Sequence, residues 1–94
     1  MKISKQIDKI QRLGKGLVDE YVDYLSVLIE HNVEENFWTA VLIYENSGDE
    51  YPSYVDAVIP NGRLMIDGSG RTIVSALRNL EKCIIENLKA LKTR

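Results

Sequence analysis

The sequence predicts an α+β domain of the order α-β-β-β-α: a long N-terminal helix, a three-stranded antiparallel sheet and a C-terminal helix. Three observations carry that expectation. Apolar residues recur at 3–4 spacing from Ile3 to Ile29 and again from Ile73 to Leu91, the period of an amphipathic helix. Between them, Asn36 to Glu45 is β-branched and aromatic without a breaker, as strands are. Turn signals at Asn46–Glu50 and Pro60-Asn61-Gly62 then cut the middle into short pieces, Asn-Gly being a strong hairpin cue. Ninety-four residues suit one domain, divided into a helical segment 1–31, a sheet over 36–67 and a helix over 71–92.

In the first segment the stripe Ile3, Ile7, Ile10, Leu17, Tyr21, Tyr24 and Leu28 is joined later by Val18, Val22, Leu25 and Ile29. The later half is therefore expected inside the core, with the first turns projecting or packing on another chain. Gly14 and Gly16 each cost a helix interior about 1 kcal/mol, which reads as a kink or break between helices near 2–13 and 17–31; an unbroken helix is the alternative. Asn32 is a helix stop. The strand Phe37–Tyr44 is apolar on both faces, hence central and covered on both sides. A second strand runs near Tyr54–Ile59 after Pro52, and a third near Arg63–Asp67. Gly68-Ser69-Gly70 opens the last helix, with Ser69 or Thr72 as N-cap. Its face is Ile73, Leu77, Leu80, Ile84, Leu88 and Leu91, and Lys89, Lys92 and Arg94 suit the C-terminal end of its dipole.

Charge is distributed in blocks. Residues 1–16 carry a net +4, residues 17–67 a net −10 with Arg63 as their one base, and residues 68–94 a net +4. An apolar fraction of 45% is ordinary for a globular chain, yet a chain this short has a thin stability margin, so a second chain supplying part of the core is expected. One cysteine, Cys83, precludes an internal disulfide or a multi-thiolate zinc site. No signal-peptide segment and no run of about 20 apolar residues is present, which points to a cytoplasmic chain without a membrane role.

The chemistry-bearing residues form no catalytic set. His31, the sole histidine, sits among Glu30, Glu34 and Glu35 and reads as solvated. Cys83 reads as a small buried hydrophobe. The carboxylates have neither metal-ligand nor paired-catalyst spacing, so no enzyme, cofactor or metal is expected. Gly68, Ser69, Gly70, Arg71 and Thr72 resemble a helix start whose amides hold an anion, although they are shorter than a phosphate-binding loop; a turn with a cap is the plainer reading. Lys2, Lys5, Lys9 and Arg12 line one face of the first helix, where they offset the acidic middle. Trp38, Tyr44, Tyr51 and Tyr54 lie on or beside the sheet, and the surrounding acids argue against stacking on nucleic-acid bases.

Thr39–Tyr44, then Tyr54 to Pro60-Asn61-Gly62, then Gly70-Arg71-Thr72 and Ala76-Leu77-Arg78-Asn79-Leu80 resemble the N-terminal part of HicB-like antitoxins over roughly residues 37–88. That family's Asp-Leu-Pro-Gly and its DNA-binding extension are absent, and the first helix is extra. The resemblance implies an antitoxin-like protein that does not itself bind operator DNA. The α-β-β-β-α order also resembles a double-stranded-RNA-binding domain, but the lysine cluster that such a domain needs at its last helix is missing.

The sequence therefore points to a non-enzymatic binding protein, antitoxin-like or a phage-type inhibitor, that neutralises a basic, nucleic-acid-handling protein partner. The expected contacts are Glu34, Glu35, Asp49, Glu50 and Asp56, with Tyr51 and Tyr54 as aromatic anchors. The alternative is an oligomeric binder of a small phosphate-containing ligand at Gly68–Thr72. Either way a homo-oligomer, most simply a dimer, is expected from the excess apolar surface.

Overall fold

The computed structural model describes residues 2–59 and 62–92. It is an α+β fold with a helix at each end of the described chain: α1 spans Lys2–Gly14 and α2 spans Ile73–Lys92. The strands between them are β1 (Tyr24–Asn32), β2 (Phe37–Glu45), β3 (Ser53–Tyr54), β4 (Asp56–Ile59), β5 (Gly62–Met65) and β6 (Asp67–Gly70). The expected three-stranded sheet is thus a four-stranded sheet plus a separate two-stranded arm.

The expected long N-terminal helix over 1–31 is corrected most. The helix stops at Gly14, residues Lys15–Leu17 form a single 3₁₀ turn, and Tyr24–Asn32 is a nine-residue strand. The glycine there is forced by packing: a Cβ on Gly14 would lie 2.7 Å from Leu42 Cδ2 and 3.2 Å from Leu25 Cδ1. Only hydrogen lets the end of α1 sit this close to the sheet. Asn32 ends a strand rather than a helix. Its Oδ1 accepts a hydrogen bond from the Glu35 amide at 3.0 Å, and Asn36 closes the four-residue turn at φ 52°, a left-handed conformation that asparagine tolerates.

β2 is central. It pairs antiparallel with β1 along its whole length, and its other edge is shared between β3 at Ile43–Tyr44 and β6 at Trp38–Val41. The sharing arises because the chain from Ser53 to Gly70 is a hairpin whose two legs splay. Where they part, three buried residues exchange backbone bonds in a ring: Leu42 N–H donates to Ile66 C=O, Ile66 N–H to Val55 C=O, and Val55 N–H to Leu42 C=O, at 3.0, 3.1 and 3.1 Å. Beyond this junction β4 and β5 continue as the arm, with Ile59 opposite Gly62; the Pro60-Asn61 part of the expected tight turn lies outside the described residues.

Both helices pack on one face of the sheet. Leu25, Ala40 and Leu42 join Ile10 of α1, Ala76, Leu77, Leu80 and Ile84 of α2, and Val55, Ala57 and Ile66 in one core. Each of the larger side chains contributes about 1.5–3 kcal/mol by burial. Gly68-Ser69-Gly70 does not open α2 but forms β6, with α2 lying directly over it; Thr72 is the N-cap, its Oγ1 accepting from the Ser75 amide at 3.1 Å. The opposite face, carrying Leu28, Val41 and Ile43, has no helix over it among the described residues. The strand Phe37–Tyr44 is therefore central in the sheet but covered by helices on one side only.

Candidate functional site

Part of the acidic middle of the chain, seven of its eleven carboxylates, lies towards one end of the sheet. There the loop 18–23, the C-terminal end of β2, the start of the splayed hairpin and the arm enclose an open cleft of about 380 Å³, lined by Leu17, Val18, Asp19, Tyr21, Val22, Tyr44, Asn46, Tyr54, Val55, Asp56 and Arg63. Local bonds fix its walls. Asp19 Oδ1 accepts from the Tyr21 amide at 3.1 Å, Asp19 C=O accepts from the Val22 amide at 3.1 Å, and the Asp23 amide donates to Glu45 C=O at 3.0 Å. This tethers the loop to the end of β2. The next loop leaves the cleft at Asn46, turns through Gly48 at φ 93° and returns at Tyr54, holding Asp49, Glu50 and Tyr51 in solvent.

Two properties define the site. Its aromatics are exposed: Tyr21 by 75%, Tyr51 by 73% and Tyr54 by 53%. Its charge is predominantly acidic: Asp19 and Asp56 line it with Arg63, Glu20 and Asp23 adjoin it beside Lys15, and Glu45, Asp49 and Glu50 follow on the neighbouring strand end and loop. Among the described residues the ion pair is Lys9–Glu81, at 2.7 Å between α1 and α2, so none of these seven carboxylates has a basic partner within 4 Å. Asn46 Oδ1 is buried beside the cleft and accepts no hydrogen bond among the described residues. Such a surface attracts cations and hydrogen-bond donors and offers flat amphipathic rings to pack against.

The structure brings together Asp49, Glu50, Tyr51, Tyr54 and Asp56 of the sequence-derived set. It does not bring Glu34 and Glu35 with them: they occupy the β1–β2 turn at the far end of the sheet, about 27 Å away over eight strand residues. Asp19, Tyr21 and Asp23, which line or border the cleft, escape a helical reading of 17–31, which sets Asp19 and Asp23 on the outer face and Tyr21 on the apolar stripe. The signal that finds them is the Gly14–Gly16 pair, which ends the helix before they are reached.

The stretch considered for phosphate is engaged in packing and capping. A Cβ on Gly68 would come within 2.6 Å of Ala76 O and Asn79 C of α2, and one on Gly70 within 2.8 Å of Ser75 Cβ. Ser69 C=O accepts from Asn79 Nδ2 at 2.6 Å, and Ser69 Oγ lies 3.4 Å from Thr39 Oγ1. Thr72 caps α2, and Arg71 is exposed. His31 stacks on Trp38 with ring centroids 4.4 Å apart. Burial pushes the Cys83 thiol above its ordinary pKa, the Asp67 and Glu86 carboxylates add to this, and hydrogen bonds from the Asp67 backbone and the Asn87 side chain oppose it.

Among the described residues no group of three or more His, Cys, Asp or Glu side chains is placed to hold a metal ion, and no helix is long and apolar enough to cross a membrane. Comparison with known proteins finds no family model, no curated protein and no solved structure that matches the chain.

Proposed function

We propose that this is a non-enzymatic cytoplasmic binding protein that engages a basic protein partner through the acidic, tyrosine-rimmed cleft, and that by occupying the partner's nucleic-acid-binding surface it neutralises it, in the manner of an antitoxin or a phage-type inhibitor. One observation supports the reading: Asp19 and Asp56 line an open cleft with Tyr21, Tyr54 and one base, Arg63, the neighbouring loops add Glu20, Asp23, Glu45, Asp49, Glu50 and the exposed Tyr51, and among the described residues none of these carboxylates is ion-paired. Like-charged groups held together repel, and a basic surface relieves that repulsion while its approach is accelerated by the field. Tyr21, Tyr51 and Tyr54 supply rigid apolar area at the centre of the contact. The HicB-like resemblance over roughly residues 37–88 supports the antitoxin form of the reading. The stretch Gly68–Thr72 is not carried forward as a ligand site, because its glycines and its threonine are already used by the packing and capping of α2.

The test is capture from nuclease-treated lysate at low and moderate salt, followed by affinity measurement with the captured protein. Charge reversal at Asp49, Glu50 and Asp56 together is expected to weaken binding on the order of 100-fold, at about 1 kcal/mol per exposed charge, and to flatten the salt dependence. Unchanged affinity in that triple variant overturns the proposal.

A further inference from the structure

The β1 edge carries an inference that does not depend on the cleft. Leu42 directs both its N–H and its C=O towards the hairpin legs, to Val55 and Ile66. Even-numbered residues of β2 therefore point their backbone groups away from β1, and odd-numbered ones towards it, because antiparallel ladders alternate. The register Glu30↔Thr39, Leu28↔Val41, Ser26↔Ile43 then turns the backbone of Leu25, Val27, Ile29 and His31 outward, to the free edge. The first of these is closed: Leu25 C=O accepts from Gln11 Nε2 of α1 at 2.9 Å. Val27, Ile29 and His31 have no backbone partner on that side among the described residues. Three N–H and three C=O groups stand open along a flat edge, a template for another strand.

We propose that a second copy of this chain fills that edge, β1 against β1 antiparallel, about a two-fold axis at Ile29. The open groups select the register. With Ile29 opposite Ile29, Val27 faces His31 on both sides of the axis, and all six groups of each copy are used. Sliding by one step so that Leu28 meets Leu28 calls on Leu25, whose carbonyl Gln11 already holds. Sliding the other way sets Glu30 against Glu30, two like charges directly opposite. In the Ile29 register Glu30 faces Leu28, and the half-buried Ile29 side chains meet each other and continue the core across the seam.

Charges of both signs meet at the ends of the seam. Val33, 79% exposed, falls opposite Leu25 of the other copy. There α1 and β1 border a groove of about 570 Å³ lined by Asp8, Gln11, Arg12, Lys15, Asp23, Tyr24 and Leu25. The turn carrying Glu34 and Glu35 thus approaches a groove in which Arg12 and Lys15 stand beside Asp8 and Asp23, and those two bases have no acidic partner within 4 Å among the described residues. The separation of those two glutamates from the acidic cleft within one chain is removed in the pair.

The test is light scattering combined with residue-resolved hydrogen exchange on the whole chain. The expected mass is twice the 10.7 kDa chain mass at high concentration, with the Val27, Ile29 and His31 amides protected in the dimer and exchanging freely on dilution. The Leu28 and Glu30 amides, which face β2, stay protected in both states. Ile29→Pro removes an outward N–H that the single chain does not use, and edge strands tolerate proline there, so that variant is expected to keep its circular dichroism spectrum and become monomeric. A wild-type chain that remains monomeric at high concentration overturns the proposal, as does a dimer whose Val27, Ile29 and His31 amides exchange freely; the exchange pattern decides the matter even if Ile29→Pro fails to fold.

Discussion

Gly68 offers the sharpest test of how the two layers are held together. It lies in β6 directly beneath α2, and the methyl group of Gly68→Ala would meet backbone atoms, Ala76 O and Asn79 C at 2.6 Å. No rotamer change relieves a clash with a helix backbone, so α2 has to lift until those separations approach the ordinary 3.4 Å. A gap of 0.5–1 Å forfeits about a quarter to a half of a dispersion contact, and the residues that lose contact with the sheet are Ala76, Leu77, Leu80 and Ile84, all fully buried. Overpacking of this kind costs about 1–3 kcal/mol, and with every clashing atom in the backbone the expected value is at the top, about 3 kcal/mol. That is a large share of the ~5–14 kcal/mol typical of a chain this size, and it lowers the melting temperature by about 12–24 °C. The assay is urea and thermal unfolding followed by circular dichroism, with Gly48→Ala as the control. Gly48 has φ 93° and nothing within 4 Å of an added Cβ, so it incurs only the backbone penalty of about 1–2 kcal/mol. If Gly68→Ala is no more destabilising than Gly48→Ala, the close helix–strand approach is not what the glycine serves.

Two further outcomes are expected. Thr72→Ala removes the N-cap of α2 and should cost about 1 kcal/mol, read as a lowered urea midpoint with an unchanged slope; Thr72→Ser should restore most of it. The raised pKa of Cys83 makes its alkylation by iodoacetamide at mildly alkaline pH much slower in the folded chain than in denaturant. By linkage the folded state holds the thiol proton more tightly, so this group's contribution to stability is intact below the ordinary thiol pKa and falls as pH rises through the raised one. Equal alkylation rates in the two states would refute the assignment.

The C-terminal half of the fold was legible because its local signals agree. Phe37–Tyr44 has no breaker and Ile73–Leu91 holds one period; the strand and helix fall within a few residues of where those signals place them. The error over 17–31 has a specific cause. Leu17, Tyr21, Tyr24 and Leu28 stand at helical spacing, but they belong to a 3₁₀ turn, a loop and a strand. The strand's true alternation, Leu25, Val27 and Ile29 inward, is masked by Leu28, an apolar residue on the outer face. Period alone does not separate helix from strand in such a run, whereas Gly14, Gly16 and the β-branched Val27 and Ile29 weigh towards the strand. The cleft was half legible for the same reason. Residues 49–56 were identified by charge and aromatic content, but Asp19, Tyr21 and Asp23 join them only once the helix ends at Gly14. The splayed hairpin leaves little local trace, because the direction in which the Val55 and Ile66 amides point is not written in their side chains.

That junction has a consequence for how the molecule tolerates change. The ring of Leu42, Val55 and Ile66 ties together points 13, 11 and 24 residues apart along the chain, so no strand there can slide without breaking its bonds to both of the others. The splayed hairpin is thereby clamped at its root, and β4 is held further out by Ala57, which is buried in the core. A single residue inserted between Val55 and Asp56, or between Met65 and Ile66, turns every following side chain of that leg to the opposite face. Substitutions on the arm are therefore expected to be tolerated at the exposed Val58, Leu64 and Met65 and resisted at Ala57, which is buried in the core.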